Sequence, residues 1–81
     1  MKRRILIIDD EKNIHTTLGR GLGLEGFEVE SALDGATGLA AVTSFQPDLI
    51  LLDLKLPDQT GLDILKTLAP DEDGPVVVMM S

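Results

Sequence analysis

Acidic residues follow two apolar runs in this chain of 81 residues, where carboxylates can bind a cation or act as nucleophiles. Asp9 and Asp10 come directly after the run at residues 5–8, and Asp53 comes directly after the run at residues 49–52. Open parallel sheets bind ligands beyond the carboxyl ends of their strands, so two neighbouring strands would bring the three carboxylates together. Clustered carboxylates repel each other, and a hard divalent cation such as Mg²⁺ is the ordinary remedy. The acids therefore predict a Mg²⁺ site and a phosphate-containing partner.

The same acids also have a purely structural explanation. Acids at strand ends often form turns or cap helices, so Asp10 would cap the first helix and Asp53 would start a turn. The chain has two acidic strand ends, and the second is followed by Lys55 and then by LPD with TG behind it. This combination favours a functional site over the structural explanation.

Four segments of the chain have the composition of strands. Short apolar runs at residues 5–8, 49–52 and Val76–Met80 are typical of strands buried on both faces of a sheet. Residues 27–30 alternate apolar and acidic side chains, which is typical of a half-exposed edge strand. These four segments supply the strands of the predicted fold.

Helical patterns occupy the intervals between the strands. An apolar residue recurs at every fourth position within residues 11–24, and a second helix follows Gly35 and ends before Pro47. A third apolar pattern covers residues 62–68. Strands that alternate with helices in this way predict βαβ units and a parallel sheet.

Local signals bear on the start of the third helix and on the stability of the first. Thr60 with Asp63 three residues later resembles a capping box at the start of the third helix. In the first helix, Gly19, Gly21 and Gly23 each weaken the helix interior by roughly 1 kcal/mol relative to Ala. The second half of the first helix is therefore predicted to be poorly formed or to pack closely on a neighbour.

The composition narrows the class of protein. There are 7 Lys and Arg residues against 14 Asp and Glu residues, and the net charge of −7 argues against a nucleic-acid-binding surface. The absence of cysteine excludes disulfides and thiolate metal sites. The run at residues 5–8 is shorter than the core of a signal peptide, about 7–15 residues, and no run reaches transmembrane length. We expect a soluble, cytoplasmic protein that binds neither nucleic acid directly nor a membrane.

Two separated segments together resemble a known family. ILIIDDE (residues 5–11) and DLILLDLKLPDQTGLDIL (residues 48–65) are similar, in order and spacing, to the receiver domain of two-component response regulators. Within that family, the similarity is greatest to regulators that pair a receiver with a sigma-54-type ATPase. The resemblance implies an α/β, flavodoxin-like, doubly wound parallel sheet. It also implies that residues 1–81 form a single partial receiver domain, truncated to about four strands in the order 2-1-3-4 and three helices.

The resemblance also implies roles for individual residues. Asp53 matches the phosphoacceptor that takes a phosphoryl group from a histidine kinase, and Asp10 matches a direct Mg²⁺ ligand that Asp9 supports. Lys55 matches the position whose backbone carbonyl completes the protein ligands. Ser81 matches the hydroxyl residue that signals phosphorylation in relatives. The family's fifth strand, with its lysine and switch aromatic residue, has no counterpart in these residues.

Two other functions compete with this interpretation. A phosphatase of the haloacid-dehalogenase kind also uses a strand-end aspartyl nucleophile, but it needs a second Asp two residues later, where this chain has Lys55. The other alternative is a truncated receiver that does not signal by phosphate and acts as a dimerising or sequestering module. The strand order of the family makes Val76–Met80 an unprotected apolar edge, so we expect a homo-oligomer through this edge or through the sheet face left uncovered.

Two features look functional but are expected to be structural. Residues 21–26 match G-x-G-x-x-G, yet they end a predicted helix, whereas a dinucleotide fingerprint follows a strand and opens a helix. His15 lies one position off the apolar stripe of the first helix and is expected to be a solvated helix residue.

Overall fold

The computed structural model describes residues 2–68 and 74–80, in which strands and helices alternate strictly along the chain. This order confirms the predicted β-α-β-α-β-α-β arrangement. The strands are β1 (Arg4–Ile8), β2 (Glu28–Ala32), β3 (Leu49–Asp53) and β4 (Val76–Met80). The helices are α1 (Lys12–Leu24), α2 (Gly35–Phe45) and α3 (Gly61–Leu68).

The four strands form one parallel sheet in the order β2-β1-β3-β4. In its register, Ile8 lies between Ala32 and Leu52, and Asp53 lies beside Met80. The order 2-1-3-4 with three helices is the predicted flavodoxin-like arrangement. Because β1 and β3 are neighbours with parallel directions, their carboxyl ends open at the same edge of the sheet.

One face of the sheet carries the hydrophobic core. We call it the closed face: it presents Leu6, Ile8, Ile50 and Leu52 and carries α2 and α3. All four of these side chains are completely buried, and Ile64 of α3 is buried against them. Every second side chain of a β-strand points to the same face of the sheet, so these side chains form one continuous apolar layer.

The opposite face is covered less completely, and we call it the open face. It presents Ile5, Ile7, Val76 and Val78, and α1 is the helix that packs on it in the described part of the chain. Ile5 and Ile7 are buried, but Val76 is 63% exposed and Val78 is 44% exposed. No residue of α1 is buried.

Burial on both faces was therefore predicted correctly for only one strand. The prediction holds for residues 5–8 of β1, which are all buried. It is wrong for β3, where only alternate residues are buried, and for β4, which has no buried residue. An apolar run shows only that both faces of a strand can be buried. Whether each face is buried depends on helices formed by other parts of the chain.

The edge strand β2 is half-exposed as predicted, but its bounds differ from residues 27–30. It begins at Glu28 and continues through Ser31 and Ala32, because these two residues pair with the end of β1. Ala32 is buried beneath α2, although alternation of apolar and acidic side chains does not extend that far. Tertiary pairing, rather than the local pattern, sets this strand's end.

Helix α1 is continuous to Leu24 despite its three glycines. A methyl group added at Gly19 would lie 3.8 Å from the Val29 side chain, whereas Gly21 and Gly23 have nothing within 4 Å. The prediction of a poorly formed second half is therefore wrong, and close packing applies to Gly19 alone. Gly26 follows the helix with φ 94°, a backbone conformation that favours glycine.

Helices α2 and α3 both begin at side-chain caps. Asp34 Oδ1 accepts a hydrogen bond from the Thr37 N–H at 2.7 Å. Thr60 and Asp63 form the predicted capping box, in which each side chain accepts from the other residue's N–H, at 3.2 and 3.4 Å. None of the helices in the described residues is long and apolar enough to cross a membrane.

Candidate metal centre

The three acids predicted to converge do lie together. Asp9 directly follows β1, Asp10 comes next, and Asp53 is the last residue of the neighbouring strand β3. One carboxylate oxygen from each residue lies within 4.8 Å of the others. The parallel pairing of Ile8 with Leu52 brings the two strand ends level, so the convergence follows directly from the sheet register.

The three carboxylates differ in their access to solvent. Asp9 is buried, Asp53 is half-buried and Asp10 is exposed. The buried Asp9 is held on two sides: its Oδ1 accepts from the Glu11 N–H at 2.9 Å, and its own N–H donates to the Ala32 carbonyl at 3.0 Å. The cluster is thus anchored at its inner end and open at its outer end.

The donor set fits Mg²⁺. Three carboxylates within one 4.8 Å cluster repel each other, and a hard cation with oxygen ligands removes that repulsion. Magnesium is commonly bound through one or two carboxylates and completes its octahedron with water or phosphate oxygens. An exposed outer carboxylate leaves room for those ligands on the solvent side.

Lys55 lies just beyond β3 in a short hairpin. It forms an antiparallel bridge with Thr60, and the flanking hydrogen bonds run from Leu56 N–H to Gln59 O at 3.2 Å and from Gly61 N–H to Leu54 O at 2.7 Å. In a bridge of this type, the N–H and C=O of Lys55 point away from Thr60. The Lys55 carbonyl is therefore left outside the hydrogen bonding of the hairpin.

Gly61 closes the hairpin against the end of β3. It is buried, and a methyl group at its position would collide with the backbone carbonyl of Asp53. Only glycine lets α3 begin this close to the strand that carries Asp53. This close approach explains the TG pair in the motif.

The expectation that His15 is a solvated helix residue is wrong. Its ring is half-buried, and Nε2 lies 2.6 Å from the backbone oxygen of Asp9. A carbonyl oxygen only accepts, so Nε2 carries the proton. The Nδ1 atom is buried and has no hydrogen-bond partner within residues 2–68 and 74–80. This contact joins the first turn of α1 to the residue that follows β1, and a helical stripe does not show such a contact.

Asp58, in the same hairpin as Lys55, was missed by the sequence reasoning. Its two carboxylate oxygens accept from the N–H groups of Gly35 and Ala36 at the start of α2, at 2.7 and 2.9 Å. The hydrogen bond from Gly35, followed by that from Ala36, holds the pKa of Asp58 below its ordinary value. These partners lie 23 and 22 residues away in sequence, so no local signal identifies them.

The structure also tests the structural explanations of two sequence features, Asp10 and the glycines of residues 21–26. The first helix has its N-cap at Glu11, with no side-chain capping bond, so Asp10 is not the helix cap. Gly21 and Gly23 lie inside the end of α1, which is the wrong place for a dinucleotide-binding turn. Ser81, the predicted switch hydroxyl, lies outside the described residues.

Comparison with known proteins gives a consistent result. A family model described as the response regulator receiver domain matches residues 5–81. The transcriptional regulatory protein PrrA of Mycobacterium tuberculosis is 43% identical over 77 residues, which are 94% of this chain and 33% of PrrA. The DNA-binding response regulator MtrA of Mycolicibacterium smegmatis is 39% identical over 98% of this chain and 35% of MtrA. The chain thus spans about a third of the length of these curated relatives.

A solved structure is similar over nearly the whole chain. The receiver domain protein of Methanospirillum hungatei superposes with a TM-score of 0.90 at 35% identity, covering 98% of this chain and 63% of that one. Its description as CheY-like agrees with the flavodoxin-like order of the strands. The narrower similarity to sigma-54-type regulators stays a prediction.

Proposed function

This chain belongs to the response regulator receiver domain family, and from that premise we propose that it accepts a phosphoryl group on Asp53 in two-component signalling. The observation that carries the proposal is the cluster of Asp9, Asp10 and Asp53 at the carboxyl ends of two adjacent strands. A histidine kinase is the proposed phosphoryl donor, and the cytoplasm is the proposed compartment.

In the proposed reaction, a carboxylate oxygen of Asp53 attacks the phosphorus of a phosphohistidine. A phosphorus–oxygen bond forms, the phosphorus–nitrogen bond breaks, and the released histidine nitrogen takes up a proton. The backbone of Asp53 is fixed by pairing with Met80 and by the close approach of Gly61, so its side chain starts from a defined place. Such positioning is the main contribution that a protein makes to phosphoryl transfer.

Asp10 and Asp53 would hold Mg²⁺ directly, with Asp9 in support and the backbone carbonyl of Lys55 as a further ligand. When bound, the cation supplies positive charge that offsets the charge of the phosphoryl oxygens. Asp9 is suited to a supporting role because the Glu11 N–H and the Ala32 carbonyl already fix its position. Ser81 is proposed as the hydroxyl that reports phosphorylation.

We propose a signalling module and not an enzyme. The phosphatase alternative requires a general acid two residues after Asp53, and Lys55 occupies that position. MtrA is named as a DNA-binding response regulator, but this chain covers only 35% of its length. With a net charge of −7, this chain itself is proposed to make no direct contact with nucleic acid.

A second proposal concerns self-association. Val76 and Val78 are 63% and 44% exposed on the open face, and β4 is the outermost strand in the described part of the chain. Exposed apolar strands of this kind pair with other chains unless they are protected. We propose that a second copy packs on this surface, so the chain also acts as a dimerising module.

The first prediction tests the metal site. We expect the chain to melt at a higher temperature with excess Mg²⁺ than with chelator, because a ligand at 100 times its Kd stabilises the folded state by about 2.7 kcal/mol. Asp10→Asn should remove most of this difference in thermal denaturation followed by circular dichroism. Glu30→Gln, which removes the same charge from an exposed site on β2, should leave it intact. Identical melts with and without Mg²⁺ in the unmutated chain would contradict the proposal.

A further inference from the structure

The start of α2 is capped twice, and the two caps have different origins. Asp34, the residue before the helix, accepts from the Thr37 N–H at 2.7 Å. Asp58, from the hairpin after β3, accepts from the N–H groups of Gly35 and Ala36 at 2.7 and 2.9 Å. The first N–H groups of a helix lack partners within the helix, so both carboxylates satisfy donors that would otherwise face solvent.

The local cap already serves the helix, whereas the second cap joins two separate parts of the chain. Asp58 lies at the tip of the hairpin whose base is the Lys55–Thr60 bridge. The side chain of Gln59, also at this tip, packs on the start of α2: a methyl group at Gly35 would lie 2.5 Å from it. Two independent observations, the paired hydrogen bonds and the close packing, therefore fix the hairpin against α2.

The backbone of Lys55 depends on this attachment. Strand pairing ends at Asp53, and the last backbone bond to β4 runs from the Leu54 N–H to the Met80 carbonyl at 3.2 Å. Beyond that point the hairpin is closed at its base by its two internal backbone bonds, and it is attached to the rest of the fold by Leu56, which packs against the core, and at its tip by Asp58. A carboxylate that accepts two N–H bonds in parallel sets orientation as well as distance.

We propose that Asp58 is a positioning residue of the metal centre, which holds the Lys55 carbonyl in place by clamping the hairpin to the start of α2. This inference rests on the proposed function, because the Lys55 carbonyl matters only if the acid cluster binds Mg²⁺. The lowered pKa of Asp58 agrees with the geometry, since its charged form receives both hydrogen bonds. Asp58 itself does not belong to the acid cluster.

The chain supplies a matched control, because Asp34 and Asp58 cap the same helix and only Asp58 belongs to the hairpin. We expect Asp58→Ala to weaken Mg²⁺ binding by about tenfold or more, as loss of a group that orients a metal ligand does. Asp34→Ala should leave the Mg²⁺ affinity unchanged. Isothermal titration of each variant of the 81-residue chain with MgCl₂ measures the difference. Asp58→Asn keeps one acceptor oxygen and should give an intermediate loss.

A readout without metal separates positioning from helix stability. In metal-free protein, Asp58→Ala should speed hydrogen exchange of the Leu56 and Gly61 amides, which close the hairpin, and Asp34→Ala should not. Equal Mg²⁺ affinity in the unmutated chain and in Asp58→Ala overturns the inference and leaves the proposed function standing. If Asp58→Ala does not fold, unchanged affinity in Asp58→Asn overturns it equally. Absence of Mg²⁺ binding in the unmutated chain contradicts the proposed function, and this inference with it.

Discussion

The two faces of the sheet carry similar apolar side chains but have very different cover. On the closed face, Leu6, Ile50 and Leu52 are completely buried under α2 and α3. On the open face, Val76 and Val78 remain exposed, and α1 has no buried residue. The difference lies in the number of helices: α2 and α3 both pack on the closed face, whereas α1 alone packs on the open face in the described part of the chain.

This contrast bears on both stability and association. Burial of apolar surface contributes about 25 cal/mol per Å², so the completely buried side chains of the closed face stabilise the fold together with Ile5 and Ile7 of the open face. The proposed self-association would use the exposed Val76 and Val78 of the open face. The acid cluster lies at the edge shared by both faces, where β1 and β3 end.

The largest expected effect comes from the core of the closed face. Ile64→Ala removes a side chain with 0% exposure and should lower the free energy of unfolding by about 2–5 kcal/mol. Leu24→Ala, at the end of α1, removes a side chain that is 83% exposed and should change it by less than about 0.5 kcal/mol. Urea denaturation measures both, and comparable losses would contradict the difference in burial between the two side chains.

A second prediction applies one substitution to a helix on each face and expects opposite signs. Gly38 of α2 faces Ile8, and a methyl group there would lie 2.7 Å from the isoleucine side chain. Gly38→Ala should therefore destabilise the fold by about 1–3 kcal/mol. Gly21→Ala in α1 meets nothing within 4 Å and should stabilise it by roughly 1 kcal/mol. If both variants shift the urea midpoint in the same direction, the difference in packing between Gly38 and Gly21 is contradicted.

A third prediction concerns association through the open face. Val78→Lys places a charge on the exposed part of β4 and should weaken self-association about tenfold, or about 1.4 kcal/mol. Ser31→Lys adds the same charge to an exposed site on β2, at the other edge of the sheet, and should have no such effect. Sedimentation velocity over a concentration series distinguishes the two. A folded, unmutated chain that stays monomeric throughout would refute the second proposal.

Much of the fold was predictable because its signals are local. Apolar runs indicate the strands, an apolar residue at every fourth position indicates α1, and Thr60 with Asp63 indicates the start of α3. The convergence of Asp9, Asp10 and Asp53 follows from the same signals, since parallel strands end at a common edge. Once β1 and β3 are predicted to be neighbouring strands, the positions of these three residues follow.

The remaining features depend on contacts that the sequence does not display. Asp58 reaches Gly35 across 23 residues of chain, and the contact of His15 with the Asp9 carbonyl depends on how α1 is placed relative to the end of β1. The half-buried Leu49 and Leu51 of β3 are as apolar as the buried Ile50 and Leu52, so periodicity could not reveal which face lacks cover. In each case the missing information is the placement of a second element.

The central claim is that Asp53 accepts a phosphoryl group with the help of a cation at the acid cluster. The most direct test is to incubate the chain with a small phosphodonor and Mg²⁺ and to measure its intact mass. The account predicts one added phosphoryl group, lost in Asp53→Asn and lost when a chelator removes the Mg²⁺. The same added mass in Asp53→Asn, or none in the folded, unmutated chain, would contradict it.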